Sequence, residues 1–270
     1  MQKILNRNLK YNAKDTFEPS AGSANHFSAG IRGFRENRFA QERLSNRIIT
    51  ALPLGDLVNL LKVAENVKLP AGQSIYRHGD NIEFVYFPET AVFSQIRILE
   101  DGKTCETAMI GKEGFAGLPA ICESATAACW TEISVAGKAL KINVENFRQK
   151  LSESEKLRAK IAEYENCYIE QISQRAACNC FHDLKERFCS WLLMLEERCE
   201  QNKFLFTQEA IARLLGVHRP SLSCVVKELK NEKIIDYARG WFVIPDRAKL
   251  QSLACACGKT ADFIDYNYFQ

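Results

Sequence analysis

No cysteine occurs before Cys105, yet eleven lie between that position and Cys257. The total is odd and no apolar export signal opens the chain, which argues against a disulfide scaffold and makes reduced thiols the expectation. Long apolar runs are missing too. The longest strongly apolar run covers residues 191–195, far below the roughly 18 residues that a membrane span needs. A cytoplasmic protein without a membrane partner is therefore expected. The motifs G-x-S-x-G and H-E-x-x-H are absent, which removes the sequence marks of two large hydrolase classes. Neither sign of charge dominates, and a net charge of +3 is too mild to identify a partner by itself.

What is present suffices for two ordinary domains, since 270 residues at 46% hydrophobic and 10% aromatic content can furnish two cores. The charge is unevenly spread. Residues 1–50 carry nine Lys/Arg against four Asp/Glu, residues 206–270 carry nine against seven, and the middle is slightly acidic. That distribution suits a nucleic-acid contact made by the C-terminal part.

Residues 1–36, rich in Asn, Ser, Ala and Gly, read as an extension without sustained periodicity. Between Glu36 and Ala64, the residues Phe39, Leu44, Ile48, Leu52, Leu57, Leu60 and Leu61 recur at helical intervals, and Pro53 and Gly55 split them into two helices. From Val67 to Ile142 the pattern changes to short alternating segments cut by turns such as His78-Gly79-Asp80-Asn81 and Glu100-Asp101-Gly102-Lys103. Many short strands at that spacing predict a β-sandwich or barrel, with residues 84–87, 92–99 and 105–110 in its walls. Between strands, residues 111–117 place glycine at every third position. The spacing is not that of a dinucleotide fingerprint. Two readings stand: a glycine-rich turn without a ligand, or exposed amides at Gly111, Lys112, Glu113 and Gly114 that cradle an anionic effector.

A short helix after Asn143 leads into a long one over residues 153–177, where Leu157, Ile161, Tyr164, Tyr168 and Ile172 are spaced four, three, four and four. Such a stripe wants a partner surface, either the sandwich or a copy of itself in a second chain, and the copy is the favoured expectation. A further amphipathic helix is expected over residues 181–198, with Leu184, Phe188, Trp191, Leu192 and Leu195 inward.

Residues 207–230 carry the most specific pattern. Ile211, Ala212, Leu215, Val217, Leu222 and Val225 fall where two steeply crossing helices must touch, Gly216 sits in the turn, and Pro220 suits the first turn of the second helix. Two short apolar strands flanking Ala238-Arg239-Gly240 follow at once. The sum is a helix-turn-helix with a wing, and the outward set of Thr207, Gln208, His218, Arg219, Ser221, Ser223, Cys224 and Lys227, with Arg239 at the wing tip, is the expected contact to double-stranded DNA. Arg pairs bidentately with guanine, whereas Ser and Lys suit phosphate oxygens. A helical hairpin with a solvated face is the plain alternative.

Two other chemistries compete with this one. Cys178, Cys180 and His182, with Cys255 and Cys257 as a second pair, compose a metal- or thiol-responsive site, although the Cys-x-Cys spacing is not that of common zinc knuckles; small buried thiols are the expectation, with no metal and no cofactor. A cupin-like metal enzyme would need His and carboxylates converging on the strands, where only His78 and scattered acids such as Glu83 and Glu106 stand. No catalytic residue and no enzymatic activity are expected.

On the strength of CNCFHDLKERFCSWLLM, FTQEAIARLLGVHRPSLS, IIDYARGWFVIPDR and CACG, and more loosely of LPAGQSIYRHGD, FVYFPETAVFS and EDGKTCETAMIGKEGFAG, the chain resembles the Crp/Fnr family of transcription regulators from about Asn37 to Cys257. The resemblance implies an α+β fold: an N-terminal β-roll (double-stranded, jelly-roll-like) sensor domain over residues 37–150, a long dimerisation helix over 151–178, and a C-terminal winged helix-turn-helix over 179–257, with 258–270 as a tail. It also implies a homodimer on a pseudo-palindromic site, with RNA polymerase as a further partner. Arg219 takes the place of a base-contacting Arg of that family, while Pro220 and Cys224 replace a Glu and an Arg. Where cyclic-AMP-binding members place an Arg-Ser or Arg-Thr pair, this chain has Ala127-Ala128-Cys129, so cyclic AMP is not the expected effector. The N-terminal cysteines of the iron-sulfur members are missing as well, which leaves the small-molecule effector unidentified.

Overall fold

In the computed structural model the described residues are 44–257, apart from Ser124 and Glu200. The expected extension 1–36, the start of the first helix and the tail 258–270 lie outside them. Two short helices come first, α1 (Arg47–Thr50) and α2 (Leu54–Leu61). Asn46 anchors them: its Oδ1 caps α1 by accepting from the Ile49 amide at 3.3 Å, and its Nδ2 donates to the Pro88 and Gly114 carbonyls at 2.9 and 2.8 Å.

The roll follows as two antiparallel sheets. One has the order β1 (Ala64–Leu69), β7 (Gly137–Asn143), β3 (Phe84–Pro88). The other runs β2 (Ser74–Tyr76), β6 (Trp130–Val135), β4 (Val92–Ile98), β5 (Thr104–Ile110). Their inward residues interdigitate in a core whose centre is aromatic, with Phe87 stacked on Phe115 at 5.0 Å between centroids and Phe147 tilted against both.

Phe147 belongs to α3 (Val144–Glu153), which is followed by the 27-residue α4 (Glu155–Phe181). The break between them is Ser154, whose hydroxyl accepts from the Leu157 amide at 3.0 Å and donates to Asp56. Here the favoured reading of the apolar stripe needs correcting. Leu157, Ile161 and Tyr164 are buried in the roll's own core, Tyr164 lies 5.3 Å from Phe115, and Tyr168 hydrogen-bonds Gln95 of β4. The stripe serves the protomer. What α4 leaves exposed is a second line at heptad spacing, Ala162, Asn166, Ile169, Ser173, Ala176 and Cys180.

A second core forms around α5 (Leu184–Cys199), α6 (Gln208–Leu215), α7 (Arg219–Asn231) and α8 (Arg247–Leu253), with a three-stranded sheet ordered β8 (Lys203–Leu205), β10 (Trp241–Val243), β9 (Asp236–Ala238). Phe188, Trp191, Leu222, Leu229 and Phe242 are fully buried there, and Val92, Ile96 and Met109 of the roll join the same cluster. Three polar bridges reinforce the junction. Trp191 Nε1 donates to Glu106 Oε2 at 2.8 Å, with Arg175 of α4 at 3.2 Å from the same carboxylate. Arg198 pairs with Glu113 at 2.8 Å, and Arg213 grips both oxygens of Glu132 at 2.9 and 3.0 Å. Among the described residues, no helix is long and apolar enough to cross a membrane.

Candidate nucleic-acid interface

Helices α6 and α7 meet through Ile211, Ala212, Leu215 and Leu222, as the spacing predicts, and Val226 and Leu229 extend the buried face. Val217 and Val225 are only partly buried. Gly216 ends α6 at φ +66, a conformation that costs a residue with a Cβ, and its amide and that of Val217 return to carbonyls of α6. Thr207 caps α6, its hydroxyl accepting from Ala210 N at 3.1 Å.

His218 is the residue before α7 and gives it no side-chain cap; Pro220 sits in the first turn. The amide end of α7 is thus uncovered. His218, Arg219, Ser221, Cys224 and Lys227 are all exposed along one face, while Ser223 is half-buried and hydrogen-bonds Gln208 of α6. Arg219 lies 3.8 Å from Glu209 with both side chains well exposed, a loose tether that solvent screens. Arg239 and Gly240 have φ +53 and +84, the signature of a two-residue hairpin turn between β9 and β10. Arg239 is therefore held at the exposed tip of the wing.

Sequence reasoning missed β8, which pairs with β10 from Trp241↔Leu205 to Val243↔Lys203 and puts Lys203 Nζ 4.6 Å from the Trp241 ring centroid. A three-residue strand with one buried side chain is too short for alternation to reveal.

The glycine-spaced loop is also corrected. A Cβ on Gly111 would meet the Arg198 side chain at 2.7 Å, and one on Gly114 would meet the Tyr164 ring at 2.2 Å. The Gly111 amide donates to Glu113 Oε1 at 2.9 Å, the Gly114 amide to the Gly111 carbonyl at 3.1 Å, and the Lys112 carbonyl accepts from Arg47 N at 2.7 Å. Gly111, Lys112, Glu113 and Gly114 form a packed joint in which the Gly111 and Gly114 amides already serve protein acceptors. A cavity of about 240 Å³ lies elsewhere, between the roll and α4, where Tyr76, Gln95, Ala128, Thr131, Glu165 and Tyr168 are among its walls. Among the described residues, none that line it is basic.

Residues 66–154 match the family model for the cyclic nucleotide-binding domain, and residues 186–253 match that for the Crp-like helix-turn-helix domain. The chain belongs to the Crp/Fnr family of transcription regulators. Solved structures share the fold at low identity. FixK2 from Bradyrhizobium japonicum aligns at a TM-score of 0.62 and 16% identity over 72% of this chain and 98% of its own. CLP of Xanthomonas campestris, a c-di-GMP responsive global regulator, aligns at 0.60 and 17% over 71% and 99%. A CRP/FNR-family regulator of Thermus thermophilus gives 0.60 and 19% over 70% and 98%. Among curated proteins, no match was found.

In this Crp/Fnr regulator, the cysteine expectation also resolves differently. All eleven cysteines are thiols. Cys178 and His182 converge with Cys255 and Cys257, whereas Cys180 stands outside that group and is exposed.

Proposed function

We propose that this DNA-binding transcription regulator acts as a homodimer, each protomer laying α7 into the major groove of one half of a pseudo-palindromic site. The uncovered N-terminal end of α7, with Arg219 leading its exposed face, carries the reading. Arg219 offers a guanidinium fork for guanine O6 and N7. His218, Ser221, Ser223, Cys224 and Lys227 flank it, while Thr207 and Gln208 at the start of α6 and Arg239 on the wing suit backbone phosphates. The outward line of α4 from Ala162 to Cys180 supports the pairing of protomers: Ile169 is 61% exposed, and small neighbours let two helices approach closely. Two half-sites roughly 10 bp apart follow from that two-fold arrangement.

The cavity under α4 suits an uncharged ligand, because among the described residues its walls supply no cation for a phosphate and one carboxylate, Glu165, that would repel it. RNA polymerase is the partner through which a bound dimer changes transcription. Genome-wide mapping of DNA bound by the full chain tests this reading: discrete peaks sharing one inverted repeat support it, and uniform occupancy without a shared sequence contradicts it.

A further inference from the structure

We propose that Cys178, His182, Cys255 and Cys257 form a tetrahedral site for a thiophilic divalent metal ion, zinc foremost, which clamps the end of α4 to the segment that follows α8. The four donor atoms lie within 4.8 Å of one another. Cys178 Sγ and Cys255 Sγ are 3.9 Å apart, and His182 Nε2 is 3.3 Å from Cys257 Sγ. Zinc bonds of about 2.3 Å to sulfur and about 2.0 Å to nitrogen set tetrahedral edges of about 3.8 Å between sulfurs and about 3.5 Å between sulfur and nitrogen. The Cys178–Cys255 and His182–Cys257 pairs stand close to those spacings, and the remaining pairs, all within 4.8 Å, need only a small closure around an ion.

The surroundings fit a ligand set as well. His182 Nδ1 is 3.3 Å from Glu186 Oε2, and that oxygen also accepts from the Asp183 amide at 3.0 Å. A carboxylate held in that way accepts a hydrogen bond from Nδ1–H and leaves the Nε2 lone pair facing the sulfurs, the usual outer support of a metal-bound imidazole. Gln174 Nε2 donates to Cys178 Sγ at 3.3 Å, and the Ser190 hydroxyl lies 3.0 Å from Cys255 Sγ, where each can steady a thiolate. Binding releases three thiol protons and leaves one net negative charge on the site. Arg175 and Arg187 line a cavity that Cys178, Cys255 and Cys257 also line.

A Cys178–Cys255 disulfide is the rival chemistry. It needs a bond of about 2.05 Å and gives neither His182 nor Cys257 a part. The metal uses all four groups, which come from the two ends of the winged domain, 77 residues apart for Cys178 and Cys255. Closing that span ties the reading head to the long helix.

The test uses the untagged full chain, reduced and stripped with a chelator, then titrated with Co²⁺ and with Zn²⁺. The expected result is one ion per chain, with thiolate-to-cobalt charge transfer and the visible bands of tetrahedral cobalt, both displaced by zinc. Cys257→Ser, which removes one of the three thiolates, should lower the charge transfer at saturating cobalt by about a third and weaken affinity, Cys180→Ser should leave both intact, and Glu186→Gln, which keeps every ligand, should weaken affinity roughly 10- to 100-fold. A wild-type chain that takes up no cobalt overturns the proposal. So does an unchanged cobalt spectrum in Cys257→Ser, or a Cys178–Cys255 disulfide that persists in reducing buffer and excludes the metal.

Discussion

At the scale of single residues, side chains that read a base differ in their expected behaviour from those that hold the backbone. Arg219→Ala should cost about 1 to 3 kcal/mol of binding and relax preference at one position of each half-site, whereas Lys227→Ala should weaken all sequences alike and flatten the salt dependence. Anisotropy titrations on matched and mismatched duplexes at two salt concentrations distinguish them; Arg219→Ala with unchanged affinity and preference removes Arg219 from the reading role. Glu106 is the residue on which the junction turns, since its buried carboxylate meets both Trp191 and Arg175. Glu106→Ala strands a guanidinium and an indole N–H and should cost roughly 3 to 5 kcal/mol in urea unfolding.

Burial pushes the Glu106 carboxyl above its ordinary value of 4.5, against the opposing pull of Arg175 and the Trp191 hydrogen bond. Folding therefore takes up a proton at this site. The associated stabilisation is complete below the ordinary value and is lost as the pH climbs through the raised one. Glu106→Gln cannot titrate, so the stability of wild type relative to this variant should fall as the pH climbs from the ordinary carboxylate value through the raised one; a difference that stays constant or grows with pH contradicts the assignment.

At the scale of elements, local signals were legible in the sequence where the cause was local. Gly216 and Gly240 mark the end of α6 and the wing turn because their positive φ favours glycine, and Pro220 marks the start of α7 because the first helical turn needs no donor from it. The surface covering an amphipathic stripe is a different matter. Leu157 and Ile161 look the same to the sequence whether a roll or a second chain lies over them, and the outward line of Ala, Asn, Ser and Cys carries little hydrophobic signal. The glycines at 111 and 114 misled for a similar reason, since the groups that fill their space, Arg198 and Tyr164, come from far along the chain. Cys180 and Cys255 were likewise indistinguishable until the fold put one outside and the other beside Cys178.

The two faces of α4 give a direct contrast. Ile169→Glu should dissociate the proposed dimer while leaving the fold intact, whereas Ile161→Asp places an unpaired charge in the roll's core and should unfold it. Sedimentation together with circular dichroism reads both. An Ile169→Glu protein that remains dimeric removes the outward line as the seam.

At the scale of the whole molecule, the winged domain is not a free appendage. Its core shares Val92, Ile96 and Met109 with the roll, and Arg213 of α6 is held by Glu132, so the roll and the helix pair α6 and α7 are mechanically connected. Among the described residues the wall of the cavity under α4 holds no cation, which predicts that neither cyclic AMP nor cyclic GMP binds there. Each lost charge-assisted bond is worth about 1.5 to 3 kcal/mol. Calorimetry should accordingly show no binding of either nucleotide below about 100 μM, and saturable binding at low micromolar concentration would contradict the cavity's assignment.

The central claim is that a two-fold pair of α7 helices reads DNA sequence. Selection of bound duplexes from a random pool by the purified full chain tests it most directly. The expected outcome is an inverted repeat with half-sites roughly 10 bp apart, and binding that weakens steeply with salt. A pool that stays unselected after repeated rounds, or that converges on a single half-site bound by one protomer, contradicts it.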